Sequence, residues 1–274
     1  HPTVISLQSG TLLACWARGA LADSVYSSSK PVGGTWSTAA IVGSGLWSKE
    51  NTPCLLQLDS GRILLFGWAS DDAANATVRL LYSDDDGTTW TTSSSGCLPT
   101  FISLDGTTGY TIQSIRAAAS AGQILLIVSL YNNAVTHYEV RQYASSDGGN
   151  SFTLVATLAA SGATTYHYPA VVASGGSFYV GLIDTVLINP FFWVLSSAYI
   201  PISSGTSTST ISVASAPEEL LLVADEGGNL YASTRLGGGG EKWIAWTSVD
   251  SGVTWTATAA SILAYGGGVW WNAD

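Results

Sequence analysis

The residues best spaced to do chemistry together are Glu219 and Arg235. They lie in the stretch Pro217 to Leu236, PEELLLVADEGGNLYASTRL, which reads as two apolar strands folded back around Glu226-Gly227-Gly228-Asn229. Glycines in such a turn supply the positive φ angles that a tight hairpin requires. Glu219 stands eight residues before Gly227 and Arg235 eight after it, so an antiparallel ladder sets them side by side. A carboxylate that can take a proton and a guanidinium that can grip an anion then share one end of the hairpin. The plainer reading is an edge ion pair, common on hairpins and worth little. Against it stands the recurrence of the layout: counted the same way, His1 falls opposite Arg18, Asn51 near Trp68 and His167 near Asp184, while Asp23 sits on the loop after Arg18. For His167 and Asp184 the reading divides between a binding subsite and the commoner case, a hydrogen bond that orders a loop.

These residues need a scaffold that brings distant segments to one end. The chain repeats an apolar strand, a glycine turn and a second apolar strand five times, with turn glycines at Gly10, Gly61, Gly122, Gly176 and Gly228, spaced by 51, 61, 54 and 52 residues. Periods of this size mark a propeller or a solenoid. Each hairpin would form the two inner strands of a four-stranded antiparallel blade, which predicts an all-β, β-propeller fold with blades over about 1–47, 48–100, 101–160, 161–213 and 214–264, and a further blade starting at 265–274. A second motif, Ser-x-Asp-x-Gly-x-Ser/Thr-aromatic, marks the outer strands as SDDDGTTW (Ser83 to Trp90), SSDGGNSF (Ser145 to Phe152) and SVDSGVTW (Ser248 to Trp255), with degraded copies at Ser27 to Trp36 and Ser196 to Thr206. This is the Asp-box. Its aspartates Asp85, Asp147 and Asp250 read as turn staples rather than catalysts, because a carboxylate there accepts backbone N–H bonds while the aromatic ring wedges between sheets.

Strand direction sorts the two ends of each blade. If every first strand runs away from a mouth, the glycine turns and Asp-boxes lie at the far end. Arg18, Asp23, Glu219 and Arg235 then face the mouth, where propellers gather their ligands. Trp47, Trp68, Tyr131, Tyr166 and Tyr168 are expected either to wall a sugar face there or to pack.

Composition narrows the function classes. With 274 residues, 46% of them hydrophobic, 10% charged, 30 Gly, 11 Trp and 12 Tyr, one all-β domain is the natural reading. A formal charge of −10 argues against a nucleic-acid or anionic-membrane surface, and any anionic ligand must be held by locally placed arginines. The longest apolar runs, such as Gln123 to Leu130, are far below the roughly 20 residues of a membrane helix. The sequence holds no Met, so His1 is expected to follow a processing site or another boundary. Cys15, Cys54 and Cys97 lack metal-ligand spacing and leave two arrangements open, one bridge plus a thiol or three thiols. No metal or cofactor is expected: Gly237 to Gly240 follows a strand without a helix and reads as a loop rather than a phosphate cradle. Asn75-Ala76-Thr77 is a glycosylation sequon.

Three segments carry a family resemblance. HPTVISLQSGTLLACWARGALAD resembles the first blade of the sialidase (neuraminidase) family, whose signature runs Arg-Ile-Pro, apolar strand, Gly, second strand, Arg and a loop Asp. Pro2 matches the proline, Arg18 the strand arginine and Asp23 the loop aspartate. PEELLLVADEGGNLYASTR is similar to the later stretch in which a glutamate opens a blade and an arginine closes its second strand sixteen residues on. Lys49 to Gly67 resembles the family's Asn-Pro opening of the second blade, with Thr52 interposed.

The resemblance implies a six-bladed propeller of which about five blades are present, acting on a sialylated or other glycan outside the cell. It implies that Asp23 protonates the leaving oxygen, that Glu219 deprotonates a nucleophilic tyrosine, and that Arg235, bordered by Arg18, binds the sugar carboxylate. The family's third arginine and its tyrosine belong to a sixth blade, and Tyr265 falls too early to be that tyrosine. A neighbouring segment or chain that completes the propeller is therefore expected. The alternative is a non-catalytic propeller serving as a glycan-binding, adhesive or structural module.

Overall fold

The structure is a computed structural model that describes residues 2–17, 24–43, 53–69, 77–92, 101–103, 109–132, 137–161, 166–184, 189–195, 209–210, 217–236, 242–257 and 262–264. Every regular element among them is a β-strand, and the strands form five antiparallel sheets built as the blades of a β-propeller. Blade 1 comprises β1 (Thr3–Ser6), β2 (Leu12–Ala17), β3 (Val25–Lys30) and β4 (Ala40–Val42). Blade 2 comprises β5 (Cys54–Gln57), β6 (Ile63–Ala69), β7 (Thr77–Ser83) and β8 (Thr91–Thr92), with β9 (Phe101–Ser103) also paired to β7. Blade 3 is β10 (Tyr110–Ser120), β11 (Gln123–Asn132), β12 (His137–Ser145) and β13 (Thr153–Ser161). Blade 4 is β14 (Tyr166–Ser174), β15 (Ser177–Asp184), β16 (Asn189–Leu195) and β17 (Ser209–Thr210). Blade 5 is β18 (Pro217–Ala224), β19 (Leu230–Leu236), β20 (Lys242–Ser248) and β21 (Thr256–Ala257), with β22 (Ile262–Ala264) added beside β20.

The chain divides into two compact units, residues 1–162 with blades 1 to 3 and residues 163–274 with blades 4 and 5. The second blade reaches further than its expected end at residue 100, since Arg79 of β7 pairs with Phe101 of β9. All five turn glycines hold positive φ, from 78° at Gly122 to 89° at Gly61, which is why the hairpins close where the glycines stand.

Alternation along the strands assigns each blade's two faces. In blade 2, Leu55, Ile63, Leu65 and Leu81 pack with Leu13, Cys15, Val25 and Val42 of blade 1. The other face, Cys54, Leu64, Phe66, Trp68, Val78 and Leu80, packs with Ile112, Ile115, Leu126 and Val128 of blade 3. Both faces are buried, so the strands read as continuous apolar runs rather than alternating ones. In the second unit Ala170 and Tyr179 of blade 4 meet Leu220, Leu222, Leu230, Ala232 and Trp246 of blade 5.

Cys15 and Cys54 are free thiols in separate clusters, which rules out a bridge through either of them; Cys97 lies outside the described residues. Among the described residues no helix is long and apolar enough to cross a membrane, and no three His, Cys, Asp or Glu side chains group as metal ligands.

Candidate functional site

The connections from third to fourth strand in blades 2, 3 and 5 carry one repeated polar turn. Ser83 Oγ donates to Asp85 Oδ1 at 2.7 Å and accepts from Gly87 N at 2.9 Å, while Asp85 accepts from Thr89 N at 2.8 Å and Thr89 Oγ1 at 2.6 Å. Ser145, Asp147, Gly149 and Ser151 repeat these bonds, as do Ser248, Asp250, Gly252 and Thr254. The fourth and fifth motif positions both take positive φ: Asp86 and Gly87, Gly148 and Gly149, Ser251 and Gly252. The Thr89 hydroxyl holds the Asp85 carboxyl below its usual range, and the Thr254 hydroxyl lowers Asp250 to about 2. At Asp147 burial pushes upward, yet the Ser151 bonds outweigh it and the pKa is lowered. These carboxylates are fixed acceptors within their turns.

Beside the degraded copy of blade 1, Ser37 Oγ accepts from Ser29 N at 3.0 Å, and Ser28 Oγ donates to Ser37 O at 2.8 Å. One aspartate staple escaped the sequence reading. Asp225, in the blade 5 hairpin turn, accepts from Asn229 N at 2.8 Å, Asn229 Nδ2 at 2.7 Å and Tyr231 OH at 3.0 Å.

At the other end of blade 5 Glu219 pairs directly with Arg235, which in turn pairs with Trp243. Leu230 pairs with Ser248 at the turn end of the same strands. At about 3.4 Å per residue, roughly 17 Å of strand therefore separates the Glu219–Arg235 pair from the end that carries Asp250. Within this blade the staple and the candidate site occupy opposite ends. Arg235 is half-buried, and Glu219 is placed by its strand backbone. The first strand carries an irregularity beside Glu219, between Pro217 and Glu219, and the first strands of blades 3 and 4 carry others at Ile112/Ser114 and His167/Ala170, each toward the end of its own blade away from the glycine turn. Such bulges re-aim side chains at sheet rims.

The irregularity in blade 4 corrects one expectation. Ala170 pairs with Gly181 in the register that simple counting gives, but His167 pairs with Ile183 and Asp184 with Tyr166. Pro169 lies in the irregular stretch and has no N–H to donate to a ladder, so the strand slips by one residue. Counted pairing of His167 with Asp184 is thereby lost.

Trp68 is 4% exposed and packs in the apolar cluster between blades 2 and 3. Tyr131 is half-buried, its ring 4.8 Å from that of its register partner Tyr138. His1, Arg18, Asp23, Trp47, Asn51, Gly237 to Gly240 and Tyr265 lie outside the described residues, as does the degraded motif at Ser196 to Thr206.

The end of blade 3 away from its Gly122 turn holds a charged group that sequence reasoning missed. Arg141 Nε donates to Glu139 Oε1 at 2.6 Å and Tyr110 OH to Glu139 Oε2 at 3.0 Å, with the guanidinium 5.5 Å from the Tyr110 ring centroid. Glu139 and Arg141 are both buried. The available signal was Glu139-Val140-Arg141 on one strand, since residues two apart share a face. Both carboxylate oxygens are engaged, so the group braces the sheet.

No protein-family model matches the chain, and a search of curated protein sequences gives no match. Solved structures do match. A protein of unknown function from Dyadobacter fermentans is 15% identical with a TM-score of 0.67, covering 97% of this chain and 83% of that one. The alpha-L-arabinanase of Penicillium chrysogenum complexed with arabinobiose is 17% identical with a TM-score of 0.65, covering 94% of this chain and 80% of that one. The GH93 alpha-L-arabinofuranosidase of Fusarium graminearum complexed with arabinobiose is 15% identical with a TM-score of 0.65, covering 93% and 79%. At these identities the likeness is one of fold, the β-propeller.

Proposed function

We propose that these blades belong to a sialidase-like glycoside hydrolase that releases a terminal sialic acid, or a related anionic sugar, from an extracellular glycoconjugate with retention of configuration. The observation that carries this reading is the direct cross-strand pairing of Glu219 with Arg235 at the end of blade 5 away from the Asp250 turn. Support comes from the solved structures of like fold that hold arabinobiose, and from the three stapled turns, which we assign as Asp-boxes.

In this reading Arg235 binds the sugar carboxylate through its planar pair of N–H donors, bordered by Arg18. A carboxylate nucleophile would be repelled by that same sugar carboxylate, whereas a phenol arrives neutral and is deprotonated by Glu219. Asp23 protonates the departing glycosidic oxygen. A further blade, from a neighbouring segment or chain, supplies the tyrosine.

The test is hydrolysis of an aryl sialoside by the complete protein. Glu219→Gln is expected to abolish most turnover while leaving binding largely intact, because a lost base affects the chemical step more than ground-state contacts. Arg235→Lys is expected to weaken binding instead, since an ammonium cannot reproduce the two-bond grip. Asp23→Asn should slow substrates with poor leaving groups most. A protein that cleaves no sialoside but binds glycans, with binding indifferent to these substitutions, would be a non-catalytic glycan-binding module.

A further inference from the structure

Blade 5 has one closed face and one open one. Leu220 and Leu222 of β18, with Leu230 and Ala232 of β19, are buried against blade 4. The residues that alternate with them stand on the opposite face, where Leu221 is 45% exposed, Val223 57% and Tyr231 40%. Val223 and Tyr231 are direct register partners, and the Tyr231 hydroxyl is tied to Asp225 at 3.0 Å, so the three side chains form one fixed apolar patch. On blade 2, which has a blade on either side, the successive first-strand residues Cys54 and Leu55 are both buried. Glu219 and Arg235 belong to the open face as well, since Glu219, Leu221 and Val223 alternate along β18 opposite Arg235, Ser233 and Tyr231.

The repeat identifies what covers this face. Each first strand packs on the first strand of the blade before it within its unit: β5 on β1, β10 on β5 and β18 on β14. The first strands begin at residues 3, 54, 110, 166 and 217, in steps of 51 to 56 residues. One more such step from Pro217 falls at 268–273, where the sequence reads Gly-Val-Trp-Trp-Asn-Ala. Val269, Trp270 and Trp271 are strand formers of large apolar area, without a charge among them, and Gly266 and Gly267 before them supply a pliant tether from β22. A second copy of the chain fits less well. Each copy carries a formal charge of −10, and three partly exposed side chains fall short of the roughly 800 Å² per partner that a specific interface buries.

We propose that Val269-Trp270-Trp271 forms the first strand of a sixth blade and lies on the Leu221, Val223 and Tyr231 face of blade 5, walling one side of the Glu219–Arg235 pair. The inference rests on the reading above only in that a further blade completes the site. It assigns the start of that blade to this chain, whatever the sugar.

The test is proximity in the whole chain. With p-benzoylphenylalanine in place of Val223 and the protein irradiated in dilute solution, mass spectrometry should locate cross-links within residues 268–273. The same probe in place of Val155, exposed on blade 3, should give none there. Cross-links from position 223 to blade 1, to a second copy or within blade 5 alone overturn the proposal. A second arm reads burial. Leu221→Ser combined with Val223→Ser should lower the thermal midpoint by at least about 4 °C in the whole chain and by under about 1 °C in a chain stopped after Ala264, because only a covered patch loses burial. Equal shifts in the two chains overturn the proposal; if the shortened chain does not fold, the cross-link alone decides. The expected cross-link in a protein that cleaves no sialoside leaves this inference standing and removes the sialidase reading. Sialoside hydrolysis that Glu219→Gln abolishes, with position 223 cross-linked elsewhere, does the reverse.

Discussion

At the scale of single residues, carboxylates in this protein have two distinct uses, and hydrogen bonding tells them apart. Asp85, Asp147, Asp225 and Asp250 each accept from both backbone and side-chain donors within a turn, and each is held below the usual carboxylate range. Such a group is a poorer base than an ordinary carboxylate. It does link folding to pH. The Asp250 pKa falls from 3.8 to about 2, chiefly through the Thr254 hydroxyl, so the folded state holds its proton less tightly than the unfolded chain. That stabilisation is complete above the unfolded value and disappears as pH falls through the folded one. Thermal midpoints measured between pH 5 and pH 1.5 should therefore decline most between about pH 4 and about pH 2. Asp250→Asn should flatten part of that decline while lowering the midpoint at neutral pH. A decline of unchanged steepness in the variant would mean that other carboxylates govern acid unfolding.

At the scale of elements, the glycine turns carry most of what the sequence discloses. Counting outward from Gly227 places Glu219 against Arg235, as the structure does, because the ladder stays regular until it passes Glu219. The same counting fails at His167, where a proline interrupts the ladder, and nothing in the alternation of apolar residues announces that slip. The Glu139–Arg141–Tyr110 group was hidden for a different reason: its members come from β10 and β12, and only the sheet order brings a phenol from one to a carboxylate on the other. Within the stapled turns the repeated positive φ values separate two kinds of glycine. Gly87 has a φ of 83°, and a Cβ there would stand 2.9 Å from both Leu13 methyls. Gly87→Ala must meet a left-handed backbone and an overpacked core together, costing about 2–4 kcal/mol. Gly148 has a φ of 73° with nothing near its Cβ position, and its equivalents in the other two turns are Asp86 and Ser251. Gly148→Asn should therefore cost under about 1 kcal/mol, since asparagine tolerates this conformation. Chemical denaturation of the two variants checks the order, and equal losses would mean that the Leu13 contact yields freely.

At the scale of the whole molecule, the period of the turn glycines announces the propeller, whereas the contents of its mouth are only partly legible. Glu219 and Arg235 lie on strands, where periodicity fixes position, whereas Arg18 and Asp23 lie outside the described residues. What binds the blades to one another is apolar, and two thiols report on it. Cys15 is buried between blades 1 and 2, and Cys54 between blades 2 and 3. Burial raises the Cys15 pKa to about 12 and raises that of Cys54 as well, although Arg116 nearby opposes the latter. At pH 8 a thiol of pKa about 12 is thiolate in about one molecule in ten thousand, and only the thiolate attacks a disulfide reagent. In a Cys97→Ser background, which leaves these two thiols as the only ones in the chain, Ellman's reagent should leave the native protein unmodified and react fully once it unfolds. A urea titration then separates two outcomes. If Cys15 and Cys54 become reactive with one midpoint, blades 1 to 3 unfold as a single compact unit despite their two separate clusters. Distinct midpoints would mean that a blade detaches from its neighbour before the rest, and rapid labelling of the native chain would contradict the burial of both clusters.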